Sequence, residues 1–137
     1  MHISDIFITL DRHGETYQPG EVLSGRYSLD KSAANDIRAV EISILWYTSG
    51  KGEEDIGVHF FRSDSFDENS DSARAEPRFF QTVLPNSPFS YDGSIVKIHW
   101  CVRLRIFPRR GKQIVVEEIF DVGNLPRPVL LQTELES

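Results

Sequence analysis

Apolar and polar residues alternate along most of this chain, with the period of two that half-buried β-strands show. The clearest run extends from Ile95 to Phe107, where one face is apolar and the other polar. The apolar face comprises Val96, Ile98, Trp100, Val102, Leu104 and Ile106, and the polar face comprises Lys97, His99, Cys101, Arg103 and Arg105. This alternation predicts a strand of an antiparallel sheet with one face on the core and one face in water.

Shorter alternating runs predict further strands. They extend over Ile6 to Leu10, Glu21 to Leu29, Val40 to Trp46, Ile56 to Phe60, Phe79 to Leu84 and Gln113 to Val122. Turn residues separate them, at Pro19-Gly20, Gly50-Lys51-Gly52 and Pro108-Arg109-Arg110-Gly111. Seven or so short strands at this spacing predict an all-β, immunoglobulin-like sandwich of two antiparallel sheets. The polar stretch from Ser63 to Glu76 is predicted to be a surface loop.

The sequences of the last two predicted strands also predict how these strands pair. A hairpin centred on Arg110 aligns inward-facing residues of one strand with inward-facing residues of the other. The predicted pairs are Arg105 with Val115, Arg103 with Glu117, and Trp100 with Phe120. Glu118 is the exception, because it falls opposite Val102 and needs either a bulge or an edge position.

The composition fits one globular domain, which we predict over residues 1–137, with a core of about 3–122 and a tail of 123–137. Asp and Glu number 21 against 15 Lys and Arg, and the net charge of -6 argues against nucleic-acid binding. The single cysteine, Cys101, leaves no partner for an internal disulfide. The sequence shows neither a signal-peptide pattern nor an apolar run of membrane-spanning length. We therefore expect a cytoplasmic chain without a transmembrane segment.

Two turn motifs lie about seventy residues apart. The first is Tyr17-Gln18-Pro19-Gly20-Glu21 followed by Gly25, and the second is Leu84-Pro85 with Tyr91-Asp92-Gly93, leading into the strand around Trp100. Together they resemble the arrestin-like β-sandwich family, which includes arrestins, Vps26 and Spo0M-type proteins. The resemblance implies a non-catalytic sandwich that binds other proteins, in which the motif residues are structural. Family members generally carry two such sandwiches in tandem, whereas this chain has the length of one.

A basic stripe is the candidate binding surface. It combines the exposed face of the longest strand with the turn that follows it, and its members are Lys97, Arg103, Arg105, Arg109, Arg110 and Lys112. Arginine forks suit carboxylates and phosphates, because two parallel hydrogen bonds can form. We therefore expect a protein partner with an acidic or phosphorylated segment. The alternative is that Arg103 pairs with Glu117 across the hairpin and the other cations are solvated.

Sheet edges are a second candidate surface. Strands at the margins of a sandwich leave backbone groups unpaired, and these groups can pair with an extended peptide or with another copy of the chain. Homo-oligomerisation through an edge is therefore a further expectation.

The side chains that could carry chemistry do not form a recognisable constellation. His2, His13, His59 and His99 lack metal-ligand spacing, and the acidic set Asp64, Asp67, Glu68 and Asp71 lacks the spacing of a calcium loop. We expect no enzyme activity, no metal and no cofactor. The alternative function is a carbohydrate or small-molecule module, for which the candidate stacking residues are Trp46, Tyr47, Tyr91 and Trp100.

Overall fold

The computed structural model describes residues 5–12, 14–30, 35–66 and 76–123, which form a sandwich of two antiparallel sheets. The strands are β1 (Ile6–Leu10), β2 (Val22–Leu29), β3 (Ile37–Gly50), β4 (Ile56–Ser65), β5 (Arg78–Val83), β6 (Tyr91–Asp92), β7 (Val96–Pro108) and β8 (Ile114–Phe120). The smaller sheet has the order β1-β2-β5. In the larger sheet β4 pairs with β3 and β3 with β7, while β6 and β8 both pair with the far side of β7. The predicted all-β sandwich is confirmed, and β6 is an addition that alternation did not reveal.

The inward-facing side chains of the two sheets fill one core. The larger sheet contributes the predicted alternating sets of its two longest strands, Val40, Ile42 and Ile44 of β3 and Trp100, Val102, Leu104 and Ile106 of β7, all fully buried. The smaller sheet faces them with Leu23, Tyr27 and Phe80. Burial of apolar area on this scale is the main term that stabilises such a sandwich.

The chain crosses from the smaller to the larger sheet between β5 and β6, past the indole N–H of Trp100. The Trp100 indole Nε1–H donates to the Pro88 carbonyl at 2.9 Å, and the Trp100 and Phe120 ring centroids lie 5.9 Å apart. Trp100 therefore holds the crossing segment through a hydrogen bond and the neighbouring strand β8 through the packing of its ring on Phe120.

The two turn motifs contact each other. Gly20 N–H donates to the Leu84 carbonyl, and Leu84 N–H donates to the Glu21 carbonyl, each at 2.9 Å. The Glu21 N–H to Gln18 carbonyl bond closes a four-residue turn, in which Gly20 takes the positive φ of 84° that a type II turn requires. The predicted Pro19-Gly20 turn is confirmed, and its attachment to Leu84 explains why both motifs are needed.

The predicted hairpin register is also confirmed. Arg105 pairs with Val115, Arg103 with Glu117 and Trp100 with Phe120. Glu118 falls opposite Val102 as expected, and it is exposed because β8 pairs on one side with β7 and forms an edge. A charged residue at such a position discourages edge-to-edge association.

The predicted loop from Ser63 begins too early. β4 extends to Ser65, because Asp64 points inward and is held there. The Asp64 carboxylate accepts hydrogen bonds from the Tyr27 hydroxyl at 2.6 Å and from Arg62 Nε at 2.9 Å. Asp64 therefore joins the two sheets and is not a loop ligand. The remaining members of the acidic set, Asp67, Glu68 and Asp71, lie outside the described residues.

A β-bulge changes the facing of β4. Its register shifts where Leu45 pairs with Val58 and Ile44 with Phe60, which leaves His59 as the extra residue. Phe60 therefore faces the core, while Ile56 and Val58 face outward. The three apolar residues from which this strand was predicted, Ile56, Val58 and Phe60, therefore do not share one face.

The bulge also closes one margin of the sandwich. His59 Nε2 lies 2.9 Å from the Val83 carbonyl and 3.0 Å from Thr82 Oγ1, and Arg62 donates to the Phe79 carbonyl at 2.9 Å. These side chains of β4 occupy carbonyls along the edge of β5. The edge of β8 lacks such a cover over most of its length within the described ranges, and association through it stays a prediction.

Substitution of Gly25 by Ala should destabilise the fold by about 1–3 kcal/mol. A Cβ at Gly25 would clash with the Thr9 carbonyl oxygen and would lie 2.9 Å from the Phe80 ring. Urea unfolding measures the effect, with Gln81→Ala, an exposed position directly opposite Ser24, as the control. Equal stability of the Gly25→Ala variant and the control would contradict the packing described.

Asp64→Asn should remove part of the acid sensitivity of the fold. Partial burial alone would raise the pKa of Asp64, but the hydrogen bonds from Arg62 and Tyr27 outweigh it and lower that pKa. Because the folded pKa lies below the unfolded value of about 4, the stabilisation is present above that pH and is lost as the pH falls through the folded pKa. Urea unfolding at neutral and acidic pH should therefore show a shallower acid loss in Asp64→Asn than in the wild type. Glu54→Gln, at an exposed position, should keep the wild-type slope, and the same slope in all three proteins would contradict this role of Asp64.

Candidate protein-interaction surface

The polar face of β7 lies on the outer surface of the larger sheet. Lys97, Arg103 and Arg105 share this face, as the alternation predicted. Lys97 forms an ion pair with Asp92 at one end of the strand. Arg103 is six residues further along, roughly 20 Å away at the rise of a β-strand. The structure therefore separates Lys97 from the other members of the predicted stripe.

Arg103 forms the ion pair that was the alternative to ligand binding. Its Nε donates to Glu117 Oε2 at 2.6 Å, and its guanidinium carbon lies 6.0 Å from the centre of the Tyr47 ring. Arg105 differs, because its side chain makes no hydrogen bond or ion pair with any residue that the structure describes, although it lies opposite Glu41 in the register of β3 and β7. Arg105 is thus the more available cation of the two.

Arg109 holds the turn after β7 in place. Its Nε donates to the Asn35 carbonyl and its Nη2 to the Phe66 carbonyl, both at 3.3 Å. The neighbouring Arg110 and Lys112 are exposed and form no ion pair within the described part of the chain. Together with Asp36, these three residues line an open depression of about 570 Å³ at this end of the sheet.

Arg38 adds a cation that the sequence analysis missed. It lies at the start of β3, beside the end of β7, and its guanidinium carbon is 5.6 Å from the centre of the Phe107 ring. The antiparallel pairing of β3 with β7 brings it here, and no local pattern around Arg38 signals that pairing. We call Arg38, Arg105, Arg110 and Lys112 the basic end of the larger sheet.

An apolar groove lies beside the basic end on the same outer face, and it too was missed. Its floor is formed by Glu41, Ser43 and Leu45 of β3, with Cys101 of β7 opposite Leu45. Leu45 and Cys101 are 2% and 0% exposed although they point away from the core. One wall is formed by Ile56, Val58 and Phe61 of β4, each more than half exposed. The groove has a volume of about 490 Å³, and its opposite side is lined by Arg103, Arg105 and Phe107.

Cys101 shows how closed the floor of the groove is. The alternation placed this residue on a wet face, yet the structure buries it completely. Burial, with a further contribution from Glu117, raises the pKa of the Cys101 thiol to about 12. The thiol is therefore protonated and poorly nucleophilic at neutral pH.

The described histidines and aromatic residues have separate structural roles. His99 Nε2 lies 2.8 Å from Ser49 Oγ, and its ring packs 4.9 Å from that of Tyr47 on the outer face. Trp46 and Trp100 point to the inner face, and Tyr91 is exposed on β6, so the four aromatics form no common stacking platform. No three potential metal ligands converge within ranges 5–12, 14–30, 35–66 and 76–123, and His2 and His13 lie outside those ranges.

The motif residues are built into the scaffold. Tyr17 is 1% exposed and lies in a parallel bridge with Val122. A Cβ at Gly93 would clash with the Tyr91 ring. The remaining motif residues belong to the turn, the crossing segment and the core described above: Pro19, Gly20, Glu21, Gly25, Pro85 and Trp100.

A membrane-crossing helix is absent from the part of the chain that the structure describes.

The order of strands and the two linked motifs define an all-β sandwich of two antiparallel sheets. Among solved structures, the chain is similar to the crystal structure of Spo0M, a sporulation control protein from Bacillus subtilis. The two are 16% identical with a TM-score of 0.55, and the match covers 96% of this chain and 55% of the Spo0M chain. No protein-family model and no curated protein matches the sequence.

At this identity the likeness shows the fold alone, which confirms the fold that the motifs predicted. This chain spans about half of the length of the matched chain. The assignment of residues 1–137 to one domain stays a prediction.

Cys101 should resist thiol reagents while the protein is folded. Its burial and raised pKa both disfavour the reactive thiolate. Labelling with a chromogenic disulfide reagent at pH 8 should be slow in buffer and complete in denaturant. Rapid labelling of the native protein would show that the floor of the groove is open to solvent.

Proposed function

We propose that this domain is a non-catalytic protein-interaction module, an adaptor or scaffold, that binds an acidic or phosphorylated segment of another protein at its basic end. The observation that carries the proposal is that Arg105, Arg110 and Lys112 lie at one end of one sheet without ion-pair partners in the described residues. The chain as a whole is acidic. A local excess of unpaired cations on an acidic protein is a means of selecting and orienting a negatively charged partner.

The side chains at the basic end suit such a ligand. Two arginine forks, on Arg105 and Arg110, can each bind a carboxylate or phosphate through two hydrogen bonds. Lys112 adds a flexible point charge, and Arg109 holds the turn that carries Arg110 and Lys112. The cations therefore extend from a strand on to a turn that is held in position, which lowers the entropic cost of binding.

A non-catalytic role is supported by how the potentially reactive groups are used. His59 joins β4 to β5, His99 packs on Tyr47, and the Cys101 thiol is buried and protonated. A free cysteine without a disulfide fits the reducing cytoplasm, which we propose as the location.

The proposal is tested by charge reversal. Arg105→Glu/Arg110→Glu should lower the recovery of specific partners from a cell extract at least tenfold, since reversed charges repel an acidic segment. The control is Arg26→Glu, which reverses a charge at an exposed position of the smaller sheet, away from the basic end. Quantitative mass spectrometry of the retained proteins measures the recovery of partners on the charge-reversal variant and on the control.

Recovery from the wild type should also fall as the salt concentration is raised, because exposed charges are screened. Identical partners and amounts on the wild type, the double variant and the control would contradict binding at the basic end. Circular dichroism confirms that the variants are folded.

A further inference from the structure

The groove has the width of an α-helix. Its lining on β3, from Glu41 to Leu45, covers roughly 14 Å, and the groove lies within an outer face that runs from Tyr47 to Ala39, roughly 27 Å at the rise of a β-strand. Its floor is two strands wide, roughly 10 Å, which matches the 10–12 Å diameter of a helix with side chains. A helix of that length contains about 18 residues.

The chemistry of the floor also favours a helix over an extended peptide. An added strand must pair its backbone with a free sheet edge, whereas β3 and β7 are already paired on both sides. A partner on this face can be held through side chains alone and must satisfy its own backbone hydrogen bonds. An α-helix does this.

The two ends of the groove carry opposite charges. At one end lies the turn between β3 and β4, where Glu53, Glu54 and Asp55 are exposed beside Lys51. At the other end lies the basic end of the sheet. The antiparallel arrangement of β3 and β7 places these two turns at opposite limits of the same face. The surface is therefore acidic, then apolar, then predominantly basic along its length, with Glu41 opposite Arg105 inside its basic part.

We propose that the groove binds an amphipathic helix of a partner protein. The apolar stripe of the helix packs on Leu45, Val58 and Phe61. Its acidic end lies at Arg105 and Arg110, and its basic end lies at Glu53 and Glu54. This binding mode rests on the proposed function, since it uses the same cations, and it adds the shape and charge order of the recognised segment.

The outer face of the smaller sheet does not offer the same site. Phe79 and Val83 of β5 are exposed there, with Phe7 and Val22 beyond them. The middle strand β2 places Ser24, Arg26 and Ser28 between them, and no pair of buried apolar residues forms a floor. This face supplies a matched control, because β5 carries one exposed phenylalanine and one exposed valine, as the groove wall does.

The test uses a random 18-residue peptide library displayed on phage and selected on the wild-type domain. Enriched peptides are synthesised, and their affinities are measured by fluorescence anisotropy. Val58→Ser/Phe61→Ser should weaken binding at least tenfold, whereas Phe79→Ser/Val83→Ser should leave it unchanged. The peptides should carry apolar residues at i, i+3 or i+4, and i+7, with acidic residues toward one end and basic residues toward the other.

The charge order is tested separately. Glu53→Lys/Glu54→Lys should lower the affinity for these peptides by roughly 3- to 10-fold, as expected for the loss of two exposed ion pairs. Circular dichroism of the bound peptides should show helix formation. Urea unfolding of the serine variants confirms that any loss of binding comes from the surface and not from unfolding.

The outcomes separate this inference from the proposed function. Acidic peptides that bind Val58→Ser/Phe61→Ser as tightly as the wild type, but fail on Arg105→Glu/Arg110→Glu, would overturn the helix site and leave the proposed function intact. Peptides that lose affinity for both double variants, Val58→Ser/Phe61→Ser and Arg105→Glu/Arg110→Glu, support both proposals. Failure to enrich any peptide overturns the helix site. A stable dimer in light scattering that Val58→Ser/Phe61→Ser dissociates also overturns it, because a second copy would then occupy the groove.

Discussion

A buried tryptophan needs an acceptor for its indole N–H, and Trp100 finds one in the Pro88 carbonyl. That single hydrogen bond determines where the chain can cross from the smaller sheet to the larger one. The crossing segment begins at Leu84, which is bonded to the Pro19-Gly20 turn, and ends at β6 beside β7. Trp100 also packs on Phe120 and so fixes the hairpin of β7 and β8. The position of this one side chain therefore affects the core, the linked motifs and the strand that carries the candidate cations.

The shape of the outer surface of the larger sheet follows from the contacts that its strands make inside the sandwich and at its margin. Trp46 lies inward over Gly57, where a Cβ would clash with the indole, so β4 keeps a glycine at that position. His59 is then bulged out toward β5, and Val58 and Phe61 both face outward. The result is an apolar wall beside Leu45 and Cys101, which are buried although they lie on the outer face of the sheet. A binding groove on this face is thus a consequence of how the core and the sandwich margin are packed.

Much of the scaffold could be predicted from the sequence because it depends on local chemistry. The Pro19-Gly20 turn, the alternation of β7 and the register of Arg103 with Glu117 each follow from residue types that are close along the chain. The groove could not be predicted, since the bulge at His59 depends on contacts with β3 and β5. Arg38 reaches the basic end only through long-range pairing, and Asp64 leaves the predicted loop because Tyr27, 37 residues away, binds it. The predicted cations were also divided by tertiary contacts: Lys97 and Arg103 are paired, Arg109 supports the turn, and Arg105, Arg110 and Lys112 remain available.

In the proposed binding mode, the domain recognises its partner through the outer face of the larger sheet. This binding mode is tested most directly by an NMR titration of the ¹⁵N-labelled domain with the tightest-binding selected peptide. The largest amide shifts should fall on Leu45, Val58, Phe61, Cys101 and Arg105, and the shifts should decline toward the smaller sheet. Shifts confined to β1, β2 and β5, or to the edge of β8 alone, would contradict it and would assign recognition to the other face or to strand addition.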